Sequence, residues 1–396
     1  MSILTQIVAV TDMNLRSLPQ RLSTSLVIVI GIAGVVAVLI SVLSLSTGLA
    51  HALTETGRAD RAIVLHNQST NEVGSNLSRD AVVTILDAPG TEHGADGKAV
   101  ASAEMLASVN IPRRDNGQLG TLTLRGVGPQ LAALRPEIHL TQGRMFRSGL
   151  RELIAGRAAT ERFSGLDLGN RVLFGDNAWV VVGVFDSGGG AHDSELLADA
   201  DTVLSAYQRS TYNSVTVRLQ QPDGFQTLRT ALAKDPTLTV KPQRETEYYE
   251  AQSQSFASFL TLVARIIGAI MAVGAVFAAL NTMYSAVRTR TVEIATLRAI
   301  GFGPAAVVVS VIVEALLLAL VGAAVGALLA WLFFDGNTVS TIGGGTGLAQ
   351  VVFHLRIGLS LITLGIIWAC AVGLLGGLLP AIRAARLPVA TALRAM

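Results

Sequence analysis

The residues best suited to catalysis or metal binding in this 396-residue chain are six histidines and one cysteine. The histidines are scattered, and none occurs in an H-E-x-x-H or comparable ligand spacing. Neither a G-x-S-x-G motif nor a G-x-x-x-x-G-K-S/T phosphate loop is present, since Gly97-Lys98 is followed by Ala99. The sequence therefore predicts no catalytic residue, no metal site and no cofactor in this chain. The histidines are interpreted as solvated loop or strand residues.

A more informative pattern lies near residues 286–304, between two apolar stretches. Ile294, Leu297 and Ile300 recur there at every third position, which predicts a short amphipathic helix at a membrane surface. Gly301 follows directly and is predicted to end this helix, because glycine is the commonest residue just past a helix C-terminus. Without reference to any relative, the segment is an interfacial helix held by its arginines.

Three charged residues in and after this segment are candidates for buried or paired groups. Arg290 and Glu293 are three residues apart on the predicted helix and can pair. Glu314 is the only acid deep within an apolar stretch, where a carboxylate is costly unless it is paired or protonated. We favour a structural hydrogen bond from Glu314 to a Ser or Thr on a neighbouring span over a proton or substrate site.

Four stretches are long and apolar enough to cross about 30 Å of hydrocarbon, which takes about 20 residues. They are residues 23–50, 256–287, 304–334 and 356–381, and each is rich in the Gly and Ala that let helices approach closely in lipid. The first is longer than the core of a signal peptide and no clear cleavage site follows, so we interpret it as a retained helix. Only 15% of the residues are charged, which also favours a membrane protein.

Basic residues cluster in three of the remaining segments, which are residues 1–22, 288–303 and 382–396. By the positive-inside rule these segments are cytoplasmic, so both termini are expected inside the cell. The mildly acidic segment 51–255 and the loop 335–355 are then outside. A formal net charge of only +2 excludes a strongly basic nucleic-acid binder.

The segment 51–255 combines strand and helix patterns. RAIVLH (61–66) is typical of a strand, and residues 171–186 are typical of a hairpin. Ser78 is placed as the N-cap of a short helix, and from about Gln243 a polar helix is expected to continue into the second span as a stalk. The predicted fold class is an α-helical membrane protein of four transmembrane helices, one plus three, with a large mixed α/β extracytoplasmic domain inserted between helices 1 and 2.

Two of the predicted cytoplasmic stretches carry longer motifs. The pattern V-x-E-R-x-R-E-I-G-x-L-R-A-x-G is matched at Val287, Arg290, Glu293, Ile294, Leu297, Arg298, Ala299 and Gly301. The pattern P-A-x-R-A-A, followed by A-L-R, is matched at Pro380, Ala381, Arg383, Ala384, Ala385, Ala392, Leu393 and Arg394. Both stretches resemble the permease subunits of the FtsX/MacB family of ABC transporters (type VII), which includes lipoprotein-releasing permeases and macrolide and toxin exporters. Departures from the patterns occur at Thr289, Val292, Ala295 and Thr391.

The resemblance implies a permease subunit in the bacterial inner membrane that works with a separate ABC ATPase, which binds the ATP and Mg. It implies that the helix near 286–301 docks on this ATPase as a coupling helix and transmits its motion to the outer domain, for export or extraction of a substrate. The coupling residues that it implies are Arg288, Arg290, Glu293, Ile294, Leu297, Arg298 and Gly301. A homodimer, or a pair with a second permease, is also implied, and a periplasmic adaptor is a further candidate partner.

An FtsX-like regulator is the alternative function. In that case the same motion activates an extracytoplasmic partner, such as a cell-wall hydrolase, and nothing is transported. The large outer domain favours the exporter, because the resemblance implies a smaller domain for a cell-division member. The sequence does not identify the transported molecule.

Overall fold

A computed structural model of the chain describes residues 3–17, 22–221, 223–340 and 352–386. The chain divides into two compact units. One unit comprises Met1–Thr47, Ala257–Asn337 and Leu355–Met396, and the other comprises Gly48–Phe256 and Thr338–His354. Four helices in the described part are long and apolar enough to cross a membrane, namely Ser25–Thr56, Glu245–Thr289, Pro304–Phe334 and Leu359–Ala385. The mixed α/β region lies between the first and second of these helices, which confirms the predicted fold class.

The first unit is entirely helical in its described part. Its helices, two of which extend into the second unit, are α1 (Ile3–Ser17), α2 (Leu22–Thr56), α8 (Glu245–Thr289), α9 (Thr291–Ala299), α10 (Pro304–Phe334) and α11 (Leu359–Ala385). The helix α1 stands in a segment for which only a cytoplasmic N-terminus was predicted. The helix α8 is unbroken from its polar start to its apolar end, as the change in composition near Gln243 predicted.

Close helix packing in this unit depends on small residues, as the sequence predicted. A Cβ atom on Gly326 of α10 would lie 2.5 Å from the carbonyl oxygen of Ala33 in α2. A Cβ atom on Gly373 of α11 would lie 2.6 Å from the Cβ of Ala319 in α10. Any larger side chain at these two positions would push the helices apart. Because lipid supplies no hydrophobic force between helices, such close contact is what holds α10 in place.

The second unit is built on a mixed ten-stranded sheet. Its strands run in the order β10-β1-β9-β2-β3-β8-β5-β7-β4, and β6 pairs with β7. They are β1 (Arg61–His66), β2 (Ala101–Pro112), β3 (Leu119–Val127), β4 (His139–Gly143), β5 (Glu152–Gly156), β6 (Arg171–Phe174), β7 (Asn177–Asp186), β8 (Glu195–Asp199), β9 (Ser214–Arg218) and β10 (Val240–Arg244). A separate two-stranded sheet joins β11 (Thr338–Ser340) and β12 (Val352–His354).

Short helices complete the second unit, and an apolar core that includes Trp179 and Phe163 lies beside the sheet. These helices are α3 (Arg79–Leu86), α4 (Leu131–Leu134), α5 (Arg157–Arg162), α6 (Ala200–Ala206) and α7 (Gly224–Lys234). The Oγ of Ser78 accepts a hydrogen bond from the backbone N–H of Ala81 at 3.2 Å, so the predicted N-cap of α3 is confirmed. The predicted strand 61–66 is confirmed as β1. The predicted hairpin is confirmed as β6 and β7.

Candidate functional site

The predicted coupling segment is a short helix between two long ones. The helix α9 ends in a Schellman motif: the N–H of Phe302 donates to the carbonyl of Leu297 at 3.1 Å, and the N–H of Gly301 donates to the carbonyl of Arg298 at 3.2 Å. Gly301 has φ of +97°, a conformation that glycine adopts without steric cost. Pro304 then begins α10. The sequence prediction that Gly301 ends this helix is confirmed.

One face of α9 is packed against the long helices of the same unit. Ile294 is 7% exposed and belongs to a small apolar cluster with Val287 of α8, Val307 of α10 and Ala384 of α11. Ile300, by contrast, is 70% exposed, because it lies at the C-cap and on the opposite face. The predicted stripe of three apolar residues is therefore wrong at its last member. Ile294 was named as a coupling residue, and its side chain is turned inward.

A buried ion pair joins the start of α9 to the interior of α10. Arg290 is 4% exposed and Glu314 is 5% exposed, and Nη1 of Arg290 donates to Oε2 of Glu314 at 2.9 Å. The sequence placed Arg290 in a pair with exposed Glu293 and favoured a Ser or Thr partner for Glu314. It did not anticipate this ion pair. The charge of Arg290 is thus used within the chain and is not displayed on a docking surface.

Two further hydrogen bonds hold the predicted coupling segment to its neighbours. Nη1 of Arg298 donates to the backbone carbonyl of Ala385, the last residue of α11, at 2.8 Å. This arrangement suits a cation, because a helix C-terminus carries partial negative charge. The N–H of Gly303 donates to Oε1 of Gln6 in α1 at 3.0 Å, which satisfies one of the free N–H groups at the start of α10. The segment is therefore connected to α1, α10 and α11.

The other face of α9 is open. Glu293, Thr296 and Ile300 are all exposed, and they share one face because they lie three and four residues apart. Arg288 is also exposed, near the end of α8, and Leu297 is half-buried between the two faces. Of the predicted coupling residues, Arg288 and Glu293 are thus exposed, while Arg290 and Ile294 are buried.

The second sequence motif continues this region along α11. Ala381 and Ala384 are fully buried, and the guanidinium of Arg383 lies 5.5 Å from the ring centre of Tyr284 in α8. Such stacking of a cation on an aromatic face is weakly stabilising. The later motif residues Thr391, Ala392, Leu393 and Arg394 lie outside the described residues.

At the other end of α8 lies a second ionic site, which we call the buried cluster. It comprises Arg61, Arg125, Arg135, Glu72, Glu104, Glu195 and Glu245, all of them buried. Arg125 of β3 is its centre and contacts three carboxylates. Nη1 of Arg125 lies 2.6 Å from Oε2 of Glu104 and 2.8 Å from Oε1 of Glu72, while Nε lies 2.8 Å from Oε2 of Glu195.

The first residue of α8 belongs to this cluster. Oε1 of Glu245 lies 2.8 Å from Nη1 of Arg135, and Oε2 lies 3.3 Å from Nε of Arg61. Oε2 also accepts a hydrogen bond from the backbone N–H of Arg58 at 3.1 Å. An acid at this position suits the positive end of the helix dipole. The N-terminus of α8 is therefore fixed within the α/β unit by several charge-assisted bonds.

The arginines favour the ionised form of two cluster carboxylates, Glu104 and Glu195, despite their burial. Burial opposes the ionisation of Glu104, but the positive charges of Arg125 and Arg135 outweigh it and hold the pKa of Glu104 below its usual range. Burial likewise opposes the ionisation of Glu195, and Arg125 again holds its pKa well below that range. The same carboxylates raise the pKa of Arg125 well above its ordinary value, against the effect of burial. Because Arg125 contacts three of these carboxylates, its loss would leave buried negative charge poorly compensated.

Sequence reasoning missed this cluster, and it was wrong about one histidine. His192 was interpreted as solvated, yet it is 2% exposed and its Nδ1 lies 2.7 Å from Oε2 of Glu195. The available signal was a charged residue inside an apolar strand, as with Glu104 in β2 and Arg125 in β3. The described residues contain no group of three or more His, Cys, Asp or Glu arranged to hold a metal ion.

Two family models match the chain in adjacent regions. The MacB-like periplasmic core domain matches residues 24–235, more than half of the chain. The FtsX-like permease C-terminal domain matches residues 265–389, which include α9 and the Arg290–Glu314 pair. None of the curated proteins compared with the chain matches it.

Three solved structures are similar to part of the chain. The periplasmic region of MacB from Actinobacillus actinomycetemcomitans is 15% identical, with a TM-score of 0.38, over 48% of this chain and 92% of that one. The extracellular domain of the noncanonic ABC-type transporter YknZ from Gram-positive bacteria is 16% identical, with a TM-score of 0.36, and the match covers 46% of this chain and 99% of that one. A domain of a permease protein from Porphyromonas gingivalis is 15% identical, with a TM-score of 0.32, and the match covers 46% of this chain and 86% of that one.

Proposed function

The chain belongs to the FtsX/MacB family of ABC transporter permeases, and on this premise we propose that it transmits ATP-driven motion from a separate ATPase subunit to its α/β domain. The transmitted motion drives export or extraction of a substrate. In this proposal the ATPase binds the ATP and Mg, and the permease contributes no catalytic group. The protein lies in the bacterial inner membrane with both termini and α9 in the cytoplasm, because basic residues flank those segments.

The observation that carries this proposal is the anchoring of α8 at both ends. Its first residue, Glu245, lies in the buried cluster, and the residue after its last one, Arg290, pairs with Glu314. With 45 residues and a rise of 1.5 Å per residue, the helix is about 67 Å long. A continuous helix whose two ends are fixed by buried ion pairs is suited to carry displacement over that distance.

The open face of α9 is the proposed contact with the ATPase. Exposed Glu293 supplies a negative charge, and Ile300 supplies an apolar side chain that is 70% exposed. Protein interfaces typically combine apolar residues with polar and charged residues at the rim. Arg288 provides a second exposed charge nearby. The buried residues Arg290 and Ile294 support this face from within.

We propose a homodimer as the working unit, with a second permease as the alternative partner. Only 28% of the apolar window of α8 is buried within the chain, compared with 50% for α10. The remaining apolar surface of α8 is available for lipid or for another helix. Native mass measurement of the complex should give two permease copies per ATPase dimer, and a single copy would contradict the homodimer.

The function is tested by co-purifying the chain with the ATPase encoded beside it and reconstituting both in lipid nanodiscs. We expect a stable complex in which the permease stimulates ATP hydrolysis. Absence of a complex, or hydrolysis that is indifferent to the permease, would contradict the proposal. A complex that stimulates a cell-wall hydrolase and moves no substrate would instead support the regulator function.

A further inference from the structure

We infer that Arg290 and Glu314 are positioning residues, which lock α9 to α10 so that a displacement of the coupling helix moves the third span with it. They are not part of the ATPase-binding surface. This inference rests on the proposed function, since it assigns a role within the same coupling site.

The pair connects two elements that the chain also joins through a tight turn. Arg290 lies between α8 and α9, while Glu314 lies ten residues beyond Pro304, about 15 Å along α10. The contact therefore reaches well past the turn at Gly301 and into the body of the span. A covalent turn alone would allow α9 to pivot about its own C-terminus, whereas the ion pair fixes its N-terminus as well.

The surroundings of the pair make it hard to separate. Val10 of α1, Met283 of α8 and Val311 of α10 line the space beside it, and all three side chains are buried. Two charges in apolar surroundings attract each other strongly, and each is costly to leave alone there. Moving α9 away from α10 would expose both charges to this environment. The two helices are therefore expected to move as one piece.

A plain packing role would not require charge at these positions. The cluster around Ile294 already supplies apolar contact between α9 and the spans. Replacing a buried ion pair by apolar residues is often neutral for stability, so stability alone does not account for a pair inside a membrane protein. A charged pair with one hydrogen-bonded geometry instead fixes a specific position of one helix on another.

The test measures binding and coupling separately in nanodiscs, with the ATPase encoded beside the permease as the probe. The main variant is the double change Arg290→Gln with Glu314→Gln, which removes both charges and leaves neither unpaired. We expect its dissociation constant for the ATPase to stay within about twofold of wild type, because the exposed face of α9 is unchanged. We expect stimulation of ATP hydrolysis to fall about tenfold or more, as for the loss of a charge-assisted bond.

The charge-reversed variant, Arg290→Glu with Glu314→Arg, restores an ion pair and should recover most of the stimulation. If the Gln–Gln variant does not insert into the membrane, stimulation by the charge-reversed variant is the test of the inference. The matched control is Arg209→Gln, which removes an exposed arginine from the α/β unit and should match wild type in both measurements.

Three results would overturn the inference. Full stimulation in the Gln–Gln variant would make the pair merely structural. Weakened ATPase binding in that variant would place the pair in the docking surface. An inserted reversed variant without stimulation would show that restoring the ion pair does not restore coupling. If wild type itself neither binds nor stimulates the ATPase, the proposed function fails instead, so the two failures are distinguishable.

Discussion

The two ends of α8 are anchored by buried charges in different ways. At the C-terminal end Arg290 forms an ion pair with Glu314. At the N-terminal end Glu245 joins a cluster in which three buried arginines face four buried glutamates. In the cluster each arginine has more than one acidic neighbour. In the cluster, the loss of one carboxylate therefore leaves each arginine with another acidic neighbour.

This difference predicts that the centre of the cluster is the most sensitive position in the α/β unit. Arg125→Met leaves Glu72, Glu104 and Glu195 without their shared cation. We therefore expect the free energy of unfolding to fall by about 3–5 kcal/mol, or the unit not to fold. Thermal unfolding of the full chain in nanodiscs, followed by hydrogen exchange in the α/β unit, measures this effect.

The matched control is Arg144→Met. Arg144 also makes a close ion pair, 2.6 Å from Glu152, but the arginine is 45% exposed. Solvent screens such a pair, so the unfolding temperature of this variant should be close to that of wild type. Equal effects of the Arg125 and Arg144 changes would contradict the importance of burial in the cluster.

A smaller effect is expected at the rim of the cluster. In the Glu245→Gln variant, Arg61 still pairs with Glu137 at 2.7 Å and Arg135 still pairs with Glu104 at 3.6 Å. The free energy of unfolding should therefore fall by about 1.5–3 kcal/mol. Hydrogen exchange should increase first at the start of α8, because that is where the anchor is weakened. An unchanged exchange rate there would show that Glu245 does not hold the helix.

Acidification is expected to destabilise the α/β unit through the buried cluster. The folded-state pKa values of Glu104 and Glu195 are lowered, so their stabilising effect is present above the unfolded value of about 4.3 and is lost as the pH falls below it. We expect the unfolding temperature of the α/β unit to be nearly constant between about pH 6 and 8 and to fall below about pH 4.3. Stability that rises on acidification would contradict this sign.

The smallest expected effect concerns the open face of α9, and it bears on binding alone. Glu293→Ala should weaken ATPase binding by about 1–3 kcal/mol, because it removes a charge-assisted bond at the interface, and membrane insertion should be unaffected. Titration of the ATPase onto the permease in nanodiscs measures the change. Arg58→Ala is the control, since the Arg58 side chain is exposed in the other unit. Unchanged binding in the Glu293 variant would mean that α9 is only an interfacial anchor.

Arg298 gives a contrasting case on the same helix. It was predicted as a docking charge, yet it donates to the carbonyl of Ala385. We therefore expect Arg298→Ala to reduce stimulation of ATP hydrolysis more than it reduces ATPase binding. A larger effect on ATPase binding than on stimulation would instead place Arg298 in the docking surface.

What could be predicted from the sequence follows its local patterns. The apolar spans, the strand at 61–66 and the turn at Gly301 are each determined by neighbouring residues, and the structure confirms them. The ion pairs depend on tertiary contacts instead: Arg290 and Glu314 are 24 residues apart, and Arg135 and Glu245 are 110 apart. Periodicity carries no information about such partners. The sequence consequently predicted the short helix α9 but did not separate its inner residues from its open face.

The central claim is that ATP binding to the ATPase displaces α9 and that α8 transmits this displacement to the α/β domain. The most direct measurement is hydrogen exchange of the reconstituted complex, comparing the nucleotide-free state with an ATP-bound state trapped by a hydrolysis-deficient ATPase. We expect ATP to change the exchange of the segment around Glu245 in wild type, and to leave it unchanged when the Arg290–Glu314 pair is replaced by two glutamines. Identical exchange around Glu245 in both nucleotide states of the wild-type complex would contradict the claim.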